Sequence, residues 1–453
     1  MYRLTVGLEV HAELKTTTKM FCGCRNDADE KEANHNVCPV CLAHPGSLPV
    51  INKEAVCKVL MVGAAVEGVL ADYTEFDRKN YFYPDIPKGY QISQYQHPLV
   101  KGGVLAGVAL TRIHLEEDTA RSQHEGDKSL VDYNRAGVPL LELVTEPVIH
   151  SAEEAGRFAR ELQLLLRSLG AGEANMEKGE MRVEANISVS KDDVLGTKVE
   201  VKNLNSFRSV ERAIAFEVER QTRLLDSAGA VLQETRGWDE TTQKTFSQRK
   251  KEGSADYRYF PDPDLPSFRL SEIPEFAHFD LPELPWQARE RYLSLGLKIE
   301  DADMFVAQPM AGLLFDAATK HLAKEDKRIA LTANYVANDL AGKWDSFEPA
   351  PLAALIEFIA QGKMSSRGAK DALAEAAGGG DLLNIAQKYL QQSDSGELAK
   401  IALQVVGEHS GVAAEYKGGK ESALQFLVGQ GMKLSKGSAN PQALKDAIQK
   451  VLG

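Results

Sequence analysis

The sequence predicts an α+β chain: a mostly antiparallel sheet, with one apolar face covered by helices and one polar face, followed by an all-helical half. Three observations carry this. Residues 7–14, 181–189 and 197–203 alternate apolar with ionisable or polar side chains, which is the period of a half-buried strand. Six prolines fall between Pro261 and Pro285, a composition that marks a domain boundary near residue 290. Beyond residue 286 an Ala- and Leu-rich helical pattern dominates, and Gly378-Gly379-Gly380 and Gly418-Gly419 break it into at least two bundles.

Composition narrows the class. A length of 453 residues exceeds what one hydrophobic core organises, so two or three domains are expected. With 43% hydrophobic and 26% charged residues the chain reads as soluble and globular. No apolar run approaches the roughly 20 residues of a membrane helix, so no membrane partner is expected. Strand-like sequence starts almost at once, leaving no room for a signal peptide, so a cytoplasmic location is expected. A net charge of -12 excludes a surface that is basic all over, and any nucleic-acid contact needs a local patch. The segment from Tyr416 supplies one, with six lysines against Glu421 and Asp446; a solvated helix face is the other reading of it.

Taken in order, the first strand is Gly7-Leu8-Glu9-Val10-His11-Ala12-Glu13-Leu14. It sends Leu8, Val10, Ala12 and Leu14 inward and lines the opposite face with Glu9, His11 and Glu13. Those are metal-ligand or acid/base groups, although a plain solvated strand face would look the same. Cys22-Gly-Cys24 and Cys38-Pro-Val-Cys41 then pair four thiols across a polar loop, a spacing that suits a structural zinc ion. Asn52 can cap a helix running to about Glu67, with Cys57 on its core face. Residues 76–85 set aromatics beside Arg78 and Lys79; they form either a nucleotide or substrate platform or a loop pinned by its rings.

In Thr111-Arg-Ile-His-Leu-Glu-Glu-Asp118, alternation places Arg112, His114, Glu116 and Asp118 on one face and Ile113, Leu115 and Glu117 on the other. Either set can be the functional one. Three adjacent carboxylates repel one another, so they are exposed or they hold a cation, Arg or Lys. Glu142 stands alone in the apolar run Pro139-Leu-Leu-Glu-Leu-Val144 and needs a metal, a base or a proton. Ser151-Ala-Glu-Glu154 is a capping box opening a helix with Leu162, Leu165, Leu166 and Leu169, stopped by Gly170. The strand over 181–189 sets Arg182, Glu184, Asn186 and Ser188 on its polar face, and the one over 197–203 adds Lys198, Glu200 and Lys202. Glu9, His11, Glu142 and Glu184 are expected to converge. No P-loop, no G-x-S-x-G elbow and no nucleophile for a glutaminase occur, so metal-assisted chemistry fits better than covalent catalysis.

Taken together, the combination resembles the B-subunit family of the bacterial tRNA-dependent amidotransferases. The matching stretches run through the chain in the family's order: 6–15, 76–85, Tyr90-Gln-Ile-Ser-Gln94, His114-Leu-Glu-Glu-Asp118 and Pro139-Leu-Leu-Glu142. They continue with Lys202-Asn-Leu-Asn-Ser-Phe207, Asp256-Tyr-Arg-Tyr-Phe-Pro261, Met364-Ser-Ser366, Phe426-Leu-Val-Gly-Gln430 and Lys436-Gly-Ser-Ala-Asn-Pro441.

The resemblance implies a kinase-like cradle over 1–290, with the zinc loop 22–41, a helical domain over 291–405 and a helical tRNA-binding tail over 406–453. It implies a ligase that uses ATP and Mg²⁺ to phosphorylate the side-chain carboxylate of Glu or Asp wrongly attached to tRNA-Gln or tRNA-Asn. Ammonia from a separate amidase A subunit then gives the amide. A small C subunit completes the heterotrimer, since the chain is too short for the inserted domain of the related archaeal protein. Carried over, the family's metal site matches His11, Glu117 and Glu142, with Glu9 beside them. That supposes a bulge turning Glu117 out of strict alternation. Lys79 matches a position for ATP phosphate or substrate, and Glu184 joins the catalytic set where the family more often has Asp. Cys22, Cys24, Cys38 and Cys41 resemble the zinc-bearing branch, and Lys420, Lys433 and Lys436 are the tail lysines expected to hold tRNA. An inactive tRNA-binding adaptor and a stand-alone metal-dependent phosphotransferase are the alternatives. Retention of His11, Glu117 and Glu142 speaks against the adaptor, and the missing glutaminase signature against a self-sufficient amidotransferase.

Overall fold

The first alternation folds as strand β1 (Arg3–Glu13), with Leu8, Val10 and Ala12 buried and Glu9, His11 and Glu13 on the other face. The structure is a computed structural model that describes residues 2–27, 29–250, 257–390, 395–435 and 439–453. Contacts divide it into two units, 1–285 and 286–453. In the first unit β1 is followed by α1 (Lys53–Ala65), β2 (Asp77–Asn80), β3 (Tyr90–Ser93), β4 (Val108–Glu117) and β5 (Pro139–Thr145). Then come α2 (Ala152–Ser168), β6 (Met181–Ser190), β7 (Val199–Leu204), α3 (Phe207–Asp226), β8 (Glu234–Asp239), β9 (Lys244–Lys250) and β10 (Phe260–Pro261).

A ten-stranded sheet runs in the order β9-β8-β7-β6-β1-β5-β4, continued by the short strands Val100–Lys101 and Val69–Leu70, with Val104–Leu105 beside β4. Its pairs are antiparallel except β7 with β8. The polar faces of β4, β5, β1 and β6 therefore form one continuous surface. Helix α3 covers the apolar side of β6 and β7 and packs on α2. Half of the capping box forms: Glu154 N donates to Ser151 Oγ (3.0 Å), while the Glu154 carboxylate accepts from His150 N (2.9 Å), one residue before the N-cap. Leu162, Leu165 and Leu166 are fully buried.

Three expectations are corrected in detail. Helix α1, capped by Asn52, ends at Ala65 rather than Glu67, and Cys57 is half-buried rather than in the core. The proline-rich stretch is no free connection, because it is stitched into the first unit. Asp262 pairs with Arg78 (2.9 Å), and Phe268–Arg269 forms a strand against Tyr73–Thr74. A small sheet, β10-β2-β3, lies beside β4, where Leu115 N donates to Gln94 Oε1 (3.1 Å) and Gln91 Nε2 to Glu117 O (2.7 Å).

The second unit is helical, without a named strand among its described residues. It holds two separate cores, one between Tyr292 and Ala386 and one between Leu398 and Leu452. Gly418-Gly419 lies between the helices Ser410–Lys417 and Glu421–Leu434, and Gly419 adopts φ +98°, a conformation open to glycine. Among the described residues no helix is long and apolar enough to cross a membrane.

Candidate active site on the polar sheet face

Strand register, more than any local motif, assembles this site. Directly opposed residues form a row across four adjacent strands: His114 on β4, Glu142 on β5, His11 on β1 and Arg182 on β6. In the next row Glu9 opposes Glu184. Glu142 Oε2 lies 3.3 Å from His114 Nε2 and 3.4 Å from His11 Nε2, while Arg112 Nη2 lies 3.6 Å from Glu142 Oε1. His11 Nε2 is also 3.4 Å from Glu116 Oε1 and 3.8 Å from Glu9 Oε1. The lone carboxylate in its apolar strand is thus held between two imidazoles.

The three consecutive carboxylates are all buried, and each has a different partner. Glu116 turns to His11, as strict alternation requires. Glu117 points to the other side, where Lys88 Nζ (2.7 Å) and the backbone N–H of Ile92 (2.9 Å) donate to it. Asp118, just past the strand, takes Arg135 Nε (2.6 Å) and Arg182. The bulge supposed to bring Glu117 beside His11 is not where it was needed. The β4/β5 register is regular from Glu117 back to Arg112, and its irregularity comes only at Val144/Thr145. The structure therefore brings His11, Glu9 and Glu142 together with Glu116, and sets Glu117 against a cavity of about 320 Å³ that Cys22, Cys41 and Tyr90 also line.

Charge is concentrated here. Burial works to lower the pKa of His11, but the hydrogen bond and charge of Glu142, with Glu116 and Glu9, lift it to about 9. Against the cost of burial, His114 and His11 hold the Glu142 carboxyl well below its usual range, while burial and Glu142 push Glu9 up. Three carboxylates crowd His11, with His114, Arg112 and Lys79 beside them, and one carboxylate oxygen, Glu116 Oε2, is buried with no hydrogen-bond partner. Ligand atoms of Glu9, His11 and Glu142, and of His114, Glu116 and Glu142, lie within 4.8 Å of one another in each set. This hard, oxygen-rich donor set with imidazole fits a divalent cation.

Lys79, on β2, comes to the same site. Burial disfavours its charge, yet Glu116 and other nearby groups, Glu142 among them, raise its pKa; its Nζ lies 5.2 Å from the centroid of the Tyr257 ring. The aromatic segment is divided between packing and exposure. Phe76 is buried edge-on against Phe21 (5.4 Å), whereas Phe82 is 88% exposed. Glu184 is paired with Lys202 (2.9 Å) and so borders the cluster.

The four cysteines are free thiols whose sulfurs all lie within 4.8 Å of one another. Cys38 and Cys41 sulfurs are 3.8 Å apart, matching the edge of about 3.8 Å of a tetrahedron with metal–sulfur bonds of roughly 2.3 Å. The loop is anchored by Lys19, fully buried, whose Nζ donates to Asn36 O (2.8 Å) and Tyr133 O (3.1 Å).

Comparison with known proteins gives this geometry a family. The family model described as "GatB/GatE catalytic domain" matches residues 4–274, and the one described as "GatB domain" matches 313–452. The chain belongs to the GatB family, the B subunits of the tRNA-dependent amidotransferases. It is 42% identical to the B subunit of the aspartyl/glutamyl-tRNA(Asn/Gln) amidotransferase of Persephonella marina, over 99% of this chain and 98% of that one. The protein of the same name from Thermus thermophilus is 41% identical over the whole of both chains, and that of Synechocystis sp. 40% over 100% of this chain and 98% of its own. The catalytic-domain match covers both donor clusters, and the second match covers the tail lysines. Of these, Lys420 is exposed and paired with Glu415 (2.8 Å), Lys433 is exposed in the last turn of its helix, and Lys436 lies outside the described residues.

Arg112, His114 and Glu116 belong to one of the two sets that alternation offered, and the family pattern favoured Glu117 over them; Lys19 was not singled out. Lys19 sits in a polar stretch with no period, and nothing local marked it as buried.

Proposed function

We propose that the polar sheet face of this GatB chain is the site where Glu or Asp misattached to tRNA-Gln or tRNA-Asn is activated and amidated. The observation that carries the reading is the Glu142 carboxylate held between His11 and His114 in a chain of this family. A carboxylate is a poor electrophile. Its oxygen attacks the γ-phosphorus of ATP, ADP leaves, and the acyl phosphate carries a good leaving group. Ammonia then attacks the acyl carbon, inorganic phosphate departs and a proton is shed, leaving the amide. ATP use accords with the family, and the ammonia is supplied by an amidase A subunit in a heterotrimer with a small C subunit.

His11, Glu116, Glu142 and Glu9 would hold Mg²⁺, with Glu116 in the place expected for Glu117. A bound Mg²⁺ would spread the charge on the phosphoryl oxygens. Lys79 meets the nucleotide phosphates from the β2 side, and Glu184 with Lys202 bounds the site. Cys22, Cys24, Cys38 and Cys41 would hold zinc as a structural clamp on the loop. We assign residues 1–290 as the kinase-like catalytic cradle, 291–405 as the helical domain and 406–453 as the tail, whose Lys420, Lys433 and Lys436 meet the tRNA backbone. The assembly works in the cytoplasm.

The test is amide formation on misacylated tRNA by this chain reconstituted with A and C subunits, ATP and Mg²⁺, comparing wild type with Glu142→Ala. We expect ATP-dependent product in the wild type and a loss of roughly 10³-fold in the variant, unrelieved when ammonium replaces glutamine. Equal activity of the two would make Glu142 structural. Binding of tRNA without amide formation by either would point to an adaptor.

A further inference from the structure

We infer that Arg182 is a substrate-contacting residue that binds an oxyanion of the reactants, either the phosphoryl oxygens of the nucleotide or the carboxylate of the aminoacyl side chain. This rests on the function proposed above. Its position is set by register: Arg182 opposes His11 directly and ends the row that runs from His114 through Glu142. It therefore stands on the same face as the carboxylate cluster, at its edge.

The support behind Arg182 is built, while its front is open. Asp118 is 3% exposed, whereas the Arg182 side chain is 40% exposed. Asp118 accepts a hydrogen bond from Thr119 N (2.8 Å) and is ion-paired with Arg135, whose Nε lies 2.6 Å away; Arg135 in turn reaches Glu13 (3.0 Å) and Gly179 O (3.2 Å). Arg135 alone would keep Asp118 from being a buried unpaired charge, so pairing Asp118 does not account for Arg182. Among the described residues, the hydrogen bonding of Arg182 is confined to Asp118 through Nη2. A guanidinium carries five N–H donors in a planar fork, so most of them are left for a ligand.

Of the neighbouring cations, Lys202 is paired with Glu184 (2.9 Å), Arg112 stands over Glu142 (3.6 Å) with its Nε buried and unpartnered, and Lys79 reaches the site from the β2 side, so Arg182 is the guanidinium at the open β6 edge. Two anionic reactants approaching a cluster of carboxylates need cations with donors to spare, and a fork matching carboxylate or phosphoryl oxygens suits that task better than an ammonium. Asp118, acting through Arg182, is a positioning residue.

The experiment is steady-state amide formation by the reconstituted complex with Arg182→Ala, Arg182→Lys and Asp118→Asn, varying ATP and misacylated tRNA separately, with and without millimolar guanidinium ion. We expect Arg182→Ala to lose roughly 10²-fold in kcat/KM and to regain part of it with guanidinium, Arg182→Lys to fall between it and wild type, and Asp118→Asn to lose roughly tenfold. A rise confined to the KM for ATP assigns the oxyanion to the nucleotide. A loss in kcat or in the KM for tRNA, at unchanged KM for ATP, assigns it to the aminoacyl carboxylate. Wild-type constants in Arg182→Ala would overturn the inference. So would a loss that guanidinium leaves untouched and that tracks a lowered melting temperature, since that marks a structural arginine. An inactive wild type would overturn the functional reading and this inference with it, whereas an active wild type with an unaffected variant would overturn this inference alone.

Discussion

The two donor clusters of the first unit are both compact enough to hold a metal ion, yet they are built in opposite ways. The cysteines come from one loop, as two close pairs that a short excursion folds together. Glu9, His11, His114, Glu116 and Glu142 come from three strands, and only the antiparallel register brings them to one face. A loop cluster tolerates slack in its backbone. A sheet cluster does not, because a shift of one residue turns every side chain to the other face. Glu116 and Glu117 show this within one dipeptide, the first beside His11 and the second beside Lys88.

The comparison is most sharply tested by that dipeptide. Glu116→Gln should raise the Mg²⁺ concentration needed for half-maximal amide formation by roughly 10²-fold, read from rate against Mg²⁺ concentration. Glu117→Gln should shift that dependence less than about threefold while costing about 3 kcal/mol in denaturant unfolding, because Lys88 is left without its carboxylate. The reverse pattern would restore the expected bulge. Next in size is Cys38→Ser. The wild type should hold about one zinc per chain by elemental analysis and the variant almost none, with a loss of roughly 2 kcal/mol or more but less than about tenfold in amide formation. Equal losses of activity in both clusters would abolish the distinction between a working site and a clamp.

Lys19→Met probes how the loop is tied to the sheet. It leaves the carbonyls of Asn36 and Tyr133 without their donor and should cost about 2 kcal/mol, with zinc release at lower chelator concentration than in wild type. The smallest effect is expected from Ser151→Ala, about 1 kcal/mol from a lost helix cap, with no change in zinc or Mg²⁺ dependence. A change in either would mean that helix packing reaches the two sites.

Much of this was legible in residue order, because the information was local. Periods of two and of 3.6 mark strands and helices, Ser151 and Asn52 mark helix starts, and the cysteine spacing marks its cluster. The proline-rich stretch stands out in composition, whereas the ion pair of Arg78 with Asp262 that binds it into the first unit joins residues with no sequence relation. Lys19 was illegible for the same reason: its burial depends on carbonyls contributed by distant turns.

The sequence by itself determined which side chains share a face, since a strand alternates whatever it pairs with. Its strict alternation already set Glu116 with His114 and Arg112 and apart from Glu117. Only the tertiary structure decided which faces meet, putting His114, Glu142, His11 and Arg182 in one row. Pairing partners and register are settled by burying every apolar face of the sheet at once, and no single strand carries that sum.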